Sequence, residues 1–264
     1  LDLGSVGSPD GALDDFGSET LMNCAAGFPA AVAVVETVAA VIADFVGLGF
    51  DFVLVDNQHG NWADQTSMLA FRNIVLGGSI PMARVLKNDF GLIGRLLDNG
   101  SLGIVVPMVN NAEEAKQAVY ATRYPPLGGR SSGAFGVGMH GPGYDEWADH
   151  EIFLSVQIET TKGAQNAKDI MSVDGVDGCW IGPGDLSRYG GMDLATRKGR
   201  DLHHKTIEEI ISACQEAGKI PGIWTGDAEG ANHWISHGCL FLTAGADGVW
   251  VEKMAKQTLT ELNN

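Results

Sequence analysis

Phe50-Asp51-Phe52-Val53-Leu54-Val55 runs into Asp56-Asn57-Gln58-His59-Gly60, and an amphipathic stretch at 65–75 follows the turn. A strand that stays apolar on consecutive positions, instead of alternating, is covered on both faces, which is the mark of a parallel sheet. The same order of apolar run, polar or glycine-containing turn and helix-like segment recurs along the chain. Strand-like runs fall at Ala30–Val35, 50–55, 80–85, 103–107, Phe153–Ile158, Gly178–Ile181, 220–223 and 241–244. Helix-like stretches include 65–75, 91–99, Ala112–Thr122, 203–217 and 229–236, with Asn99-Gly100 and Ala217-Gly218 as stops. Eight such units predict an α/β fold with a single (β/α)8 TIM barrel, in preference to a doubly wound open sheet made of the same units. The barrel is assigned to 21–264, and residues 1–20 read as a flexible N-terminal extension. The rhythm breaks once, between Arg123 and Glu151, where Tyr124-Pro125-Pro126-Leu127-Gly128-Gly129-Arg130 opens a stretch long enough to predict a functional or disordered loop.

Of the 264 residues, 45% are hydrophobic and 19% charged, enough to build a large buried core. Lys and Arg number 17 against 33 Asp and Glu, a net charge of -16 that repels phosphate backbones and anionic lipid surfaces, so neither nucleic acid nor a membrane is an expected partner. No apolar run reaches the roughly 18 uncharged residues of a membrane span. Cys24, Cys179, Cys214 and Cys239 are scattered without a CxxC pair, and the opening Leu1-Asp2-Leu3-Gly4 lacks the basic start of a secretory signal. A cytoplasmic location is expected.

In a barrel the reactive groups stand at the C-terminal ends of the strands. Those ends read Asp56 to Gly60, Arg84, Gln157-Ile158-Glu159-Thr160, Gly182-Pro183-Gly184-Asp185 and Trp224-Thr225-Gly226-Asp227. Glu159 and Asp185, on neighbouring strands, repel unless a proton or cation lies between them, and a hard divalent ion is one occupant. Alternatively each caps the helix that follows. His59, three residues after Asp56, is either an acid/base oriented by that carboxylate or a turn histidine bonded to backbone. Arg84 either stabilises an oxyanion or pairs with Asp56 or another acid. Gly182-Pro183-Gly184 before Asp185 would let backbone N–H groups meet an anion at a helix start. No GxGxxG, GxxxxGK[ST] or GxSxG pattern is present. His140, His150, His203, His204, His233 and His237 read as solvated, and Trp147 and Trp224 as pocket lining or packing.

Several segments together resemble the HpcH/HpaI class II aldolase family: Gly49 to Asp56 with His59-Gly60, Arg95-Leu96-Leu97-Asp98 with Gly100, Val106-Pro107-Met108-Val109, Ala121 to Pro126, Gln157-Ile158-Glu159-Thr160, and Gly175-Val176-Asp177-Gly178 through Ile181 to Ser187. The resemblance implies a phosphoenolpyruvate/pyruvate-type barrel and a divalent-metal-dependent aldolase that reversibly cleaves 4-hydroxy-2-oxo acids to pyruvate and an aldehyde. It implies Glu159 and Asp185 as ligands of Mg²⁺, Mn²⁺ or Co²⁺, and His59, supported by Asp56, as acid/base. Arg84 would bind the 2-oxo oxygen, and Gln157, Gly182, Pro183, Gly184 and Asp185 would line the 2-oxo acid. It further implies a homohexamer whose C-terminal helices, after about Asp247, are exchanged between subunits. Gln58 departs from the acid usual before the histidine, and Gly129-Arg130-Ser131-Ser132 departs from the common Gly-x-Arg-Gly, which points to individual acceptor recognition. Two other readings use the same residues: a citrate lyase β-type or malyl-CoA lyase activity, for which this acidic chain offers few basic residues, and a non-catalytic barrel that binds a small acid.

Overall fold

Every strand pair in the sheet runs parallel, as the unbroken apolar runs require. The computed structural model describes residues 30–35 and 48–262; the expected N-terminal extension, Cys24 and the segment after the first strand lie outside them. Seven strands, β2 (Phe52–Asp56), β3 (Ile80–Arg84), β4 (Gly103–Val106), β5 (Phe153–Ile158), β6 (Gly178–Ile181), β7 (Ile220–Trp224) and β8 (Phe241–Ala246), form a curled parallel sheet in sequence order. The backbone of β1 (Ala30–Val35) pairs with β2 on one side and β8 on the other.

Around the sheet lie α1 (Asp64–Leu76), α2 (Phe90–Asp98), α3 (Ala112–Thr122), α4 (Tyr144–Glu151), α5 (Thr161–Gln165), α6 (Ala167–Met171), α7 (Pro183–Tyr189), α8 (Arg197–Glu216), α9 (Ala228–Ser236) and α10 (Asp247–Leu262). Asp89, Asn111, Thr196 and Asp227 cap α2, α3, α8 and α9 by accepting a backbone N–H of the first turn. Helix α8 starts before the predicted 203 because Thr196 takes the N–H of Gly199 at 3.0 Å. Alternate strand residues divide the core. Phe52, Leu54, Met82, Val105, Phe153, Trp180 and Phe241 fill the interior of the curl, while Val53, Val55, Ala83, Ile104, Leu154, Val156 and Ile181 face the helices.

The segment predicted as a long loop is folded. It contains a 3-10 turn (Gly136–His140) and α4, and it is tied to the N-terminal ends of β4 and β5. Arg130 is buried, with Nη2 on Asp98 Oδ1 at 3.1 Å, Nη1 on the Tyr144 hydroxyl at 3.0 Å and its guanidinium over the Tyr124 ring at 4.6 Å. His140, expected to be solvated, is half-buried against the carbonyl of Gly100 at 2.8 Å. The segment therefore packs at the face opposite the strand C-termini, beside Asp98 and Gly100. Trp147 packs into the same cluster, 4.8 Å from Tyr144 between ring centres.

Replacing Arg130 with Met should cost about 1–3 kcal/mol of stability in urea unfolding, because the Tyr144 hydroxyl and the partly exposed Asp98 lose the buried guanidinium they share. A loss below about 1 kcal/mol would instead assign the segment to the solvated surface.

Candidate active site and metal-binding carboxylates

Glu159 follows β5 directly and is buried. Its Oε1 accepts the backbone N–H of Met108 at 2.9 Å, and its Oε2 accepts the side-chain amide of Gln157 at 2.7 Å. Met108 presents that N–H from beyond β4 with a φ of 59°, a left-handed conformation uncommon for a side chain of its size. Gly182, next after β6, lies against the same carboxylate. A β-carbon there would stand 2.6 Å from Glu159 Oε2 and 3.0 Å from Gln157 Nε2, so close approach demands glycine.

Asp185 sits in the first turn of α7, which Pro183 opens. Leu186 makes the first amide bond of that helix, to the Gly182 carbonyl at 3.0 Å, so the Gly184 and Asp185 amides precede it. A β-carbon on Gly184 would meet nothing within 4 Å; the space beside it is open. Neither carboxylate caps a helix. Thr160 caps α5 through the Gly163 N–H at 2.9 Å, and no side chain caps α7.

Burial pushes the Glu159 carboxyl up to about 7; the Met108 N–H pulls it back, the Asp185 charge raises it further, and Arg84 and Gln157 lower it. Two carboxylates within reach of each other's charge, one of them short of compensation, suit a hard cation that prefers oxygen donors. The donor set fits a divalent metal on those grounds.

Asp56 and Arg84 are register partners on β2 and β3. Arg84 donates from Nε to Asp56 Oδ1 at 2.9 Å and from Nη2 to Oδ2, which leaves Nη1 outside the fork, and its guanidinium lies 5.3 Å from the Trp180 ring centre. The expected support of the His59 imidazole by Asp56 is corrected: the carboxylate faces Arg84 and accepts the backbone N–H groups of Gln58 and His59 at 3.0 and 3.3 Å. Register explains the outcome, since a planar guanidinium one strand away matches both carboxylate oxygens. His59 is exposed on the turn that leaves β2. Gln58 keeps its Oε1 buried with no hydrogen-bond partner among the described residues, a place where a neutral amide costs less than an acid.

Strand ends thus bring Glu159, Gln157, Gly182 and Asp185 together, with Arg84 close enough for its charge to act on Glu159. Asp227, at the end of β7, is a helix cap, and Trp224 is exposed. Sequence reasoning missed Met108, for which residue type gives no signal. It also missed the meeting of His204, His233 and His237, for which the four-residue spacing of the last two was a signal.

The profile of the HpcH/HpaI aldolase/citrate lyase family matches residues 34–253. A 4-hydroxy-2-oxo-heptane-1,7-dioate aldolase of Shigella flexneri is 36% identical over 222 residues, 83% of this chain and 82% of that one. One from Klebsiella pneumoniae subsp. pneumoniae is 38% identical over 208 residues, 76% and 77% of the two chains. Among solved structures, a HpcH/HpaI aldolase/citrate lyase family protein from Burkholderia cenocepacia J2315 superposes with a TM-score of 0.85 over 93% of this chain and 99% of that one; at 22% identity this is a likeness of fold.

In the metal-free protein Glu159 binds its proton below about 7, whereas the unfolded chain binds it only near 4.5. Between those values the folded state holds more protons, so stability should rise as pH falls, by at most about 1.4 kcal/mol per unit. Urea unfolding across that window should show the slope in the wild type and lose it in Glu159→Gln; identical slopes would refute the raised carboxyl.

Proposed function

Because this chain belongs to the HpcH/HpaI aldolase/citrate lyase family, we propose that it is a class II aldolase, a carbon-carbon lyase that reversibly converts 4-hydroxy-2-oxo acids to pyruvate and an aldehyde. The observation that carries this reading is the buried Glu159 carboxylate, raised toward neutrality beside Asp185. Glu159 and Asp185 would hold Mg²⁺, Mn²⁺ or Co²⁺, which share a preference for oxygen donors. When bound, such an ion supplies fixed positive charge to an oxygen-rich substrate.

The 2-oxo acid carboxylate would lie along Gly182-Pro183-Gly184-Asp185, facing the Gly184 and Asp185 amides, with Gln157 beside Glu159. In cleavage a base takes the proton of the 4-hydroxyl, the bond between C3 and C4 breaks, the aldehyde leaves, and the electron pair passes through C2 to the 2-oxo oxygen. Protonation of C3 then gives pyruvate. Arg84, held in place by Asp56 and with Nη1 outside that pair, is the donor for the oxygen that gains charge. His59 on the rim is the acid/base; its backbone, not its ring, is what Asp56 fixes. No Schiff-base lysine is needed.

We read the sheet as the full (β/α)8 barrel of the phosphoenolpyruvate/pyruvate type, with β1 between β2 and β8. Among the described residues no helix is long and apolar enough to cross a membrane. The free thiols of Cys179, Cys214 and Cys239 suit a reducing cytoplasm. Helix α10 exposes Val249, Val251, Met254, Leu259 and Leu262, an apolar set that supports exchange of this helix within a homo-oligomer, a hexamer in our reading.

The test is pyruvate release from a 4-hydroxy-2-oxo acid with and without a chelator. Activity should need the metal, and Glu159→Gln or Asp185→Ala should abolish it with the fold retained. Arg84→Ala should lower kcat about 100-fold or more. Full turnover in the carboxylate variants would remove the proposed ligands, and substrate binding without turnover in the metal-loaded wild type would favour a barrel that only binds small acids.

A further inference from the structure

Helices α8 and α9, in the outer layer, bring three imidazoles to one point: His204 from α8, His233 from α9 and His237 at its C-cap. One ring nitrogen from each lies within 4.8 Å of the other two, and His204 Nε2 is 3.1 Å from His233 Nε2. Two imidazoles bound to one tetrahedral zinc-sized ion at about 2.0–2.1 Å place their nitrogens roughly 3.3–3.4 Å apart. That pair needs to open by only a few tenths of an ångström.

The far ring nitrogens of His237 and His204 are already engaged. His237 Nδ1 lies 2.8 Å from the His233 carbonyl oxygen, which can only accept, so Nδ1 carries the proton and Nε2 the lone pair. His204 Nδ1 faces Glu208 Oε2 at 3.4 Å, which favours the same tautomer and turns its Nε2 lone pair toward His233. A carbonyl or carboxylate on the far nitrogen is what fixes the orientation of metal-binding imidazoles. Trp234 stacks on His204 at 4.9 Å and steadies that ring, while Glu208 Oε1, 3.9 Å from His237 Nε2, faces a lone pair, a repulsion that a cation would relieve.

We propose that His204, His233 and His237 form a metal site separate from the mouth, for a borderline divalent ion of the zinc, nickel or copper class, with Glu208 as its orienting carboxylate. Nitrogen donors select such ions, whereas the carboxylates of the mouth select hard ones. A bound ion would add a tie between α8 and α9 to the Trp234 stack on His204 and the Gln215 side-chain bond to the Gly238 carbonyl at 3.4 Å, just past the end of α9. Ligation would then stabilise the fold by mass action.

The experiment uses the untagged, chelator-stripped full chain in excess Mg²⁺, titrated with Zn²⁺ by calorimetry and followed by thermal unfolding. A single equivalent should bind and raise Tm in the wild type and in Glu159→Gln. Both effects should vanish in the double variant His233→Gln, His237→Gln, with its circular dichroism unchanged. Glu208→Gln should weaken binding about 10–100-fold. Zinc uptake and a Tm rise that persist in the double histidine variant, or no uptake by the wild type, would overturn the proposal.

Discussion

A carboxylate taken out of water must find compensation, and Glu159 obtains only part of it from the chain. Three strand ends are shaped by that side chain. The segment after β4 turns left-handed at Met108 to offer an N–H, the last inward residue of β5 is an amide, and the residue after β6 is a glycine because nothing larger fits. Two neutral donors leave the negative charge uncancelled, and Asp185 adds to the deficit. The site is built short of positive charge, which is the condition under which a cation binds instead of merely visiting.

Arg84 does not fill that deficit, although its charge acts on Glu159. Its fork is committed to Asp56, the adjacent residue in register. Pairing the guanidinium there keeps a cationic donor rigid at the end of β3 while the Glu159 and Asp185 pair stays available. Had Arg84 turned to Glu159, an internal salt bridge would have cancelled the charge that the Met108 and Gln157 donors leave. The Asp56 and Arg84 pair is therefore a device for separating two charges that would otherwise quench each other.

Most strand positions were legible because burial on both faces leaves a continuous apolar run, as at Phe153–Ile158 and Gly178–Ile181, where the expected bounds and the observed ones coincide. The strand-end residues were legible from the same reasoning, since each follows its run directly. Partnership was not. Asp56 lies three residues from His59 in the chain but meets Arg84 across the sheet, and only register decides between them. The segment after Tyr124 looked like a loop because its glycines and prolines hide the fact that one buried arginine organises it around Asp98, Tyr124 and Tyr144. The histidines of α8 and α9 looked solvated because His204 and His233 are 29 residues apart in sequence.

Direction along the strands settles where specificity can reside. Chain that enters a parallel strand is at the opposite face from chain that leaves it, so the segment before β5 lies away from the Glu159 and Asp185 carboxylates of its own chain. Its anchor to the carbonyl of Gly100, just before β4, holds it there. Among the described residues, the turns that leave the strands expose His59 after β2, Leu86 and Lys87 after β3, Gly184 after β6 and Trp224 at the end of β7. The departure at Gln58 falls on one of these turns, on the same face as the carboxylates, whereas the departure at Gly129 to Ser132 falls on the opposite face, where Arg130 is buried between Asp98 and Tyr144.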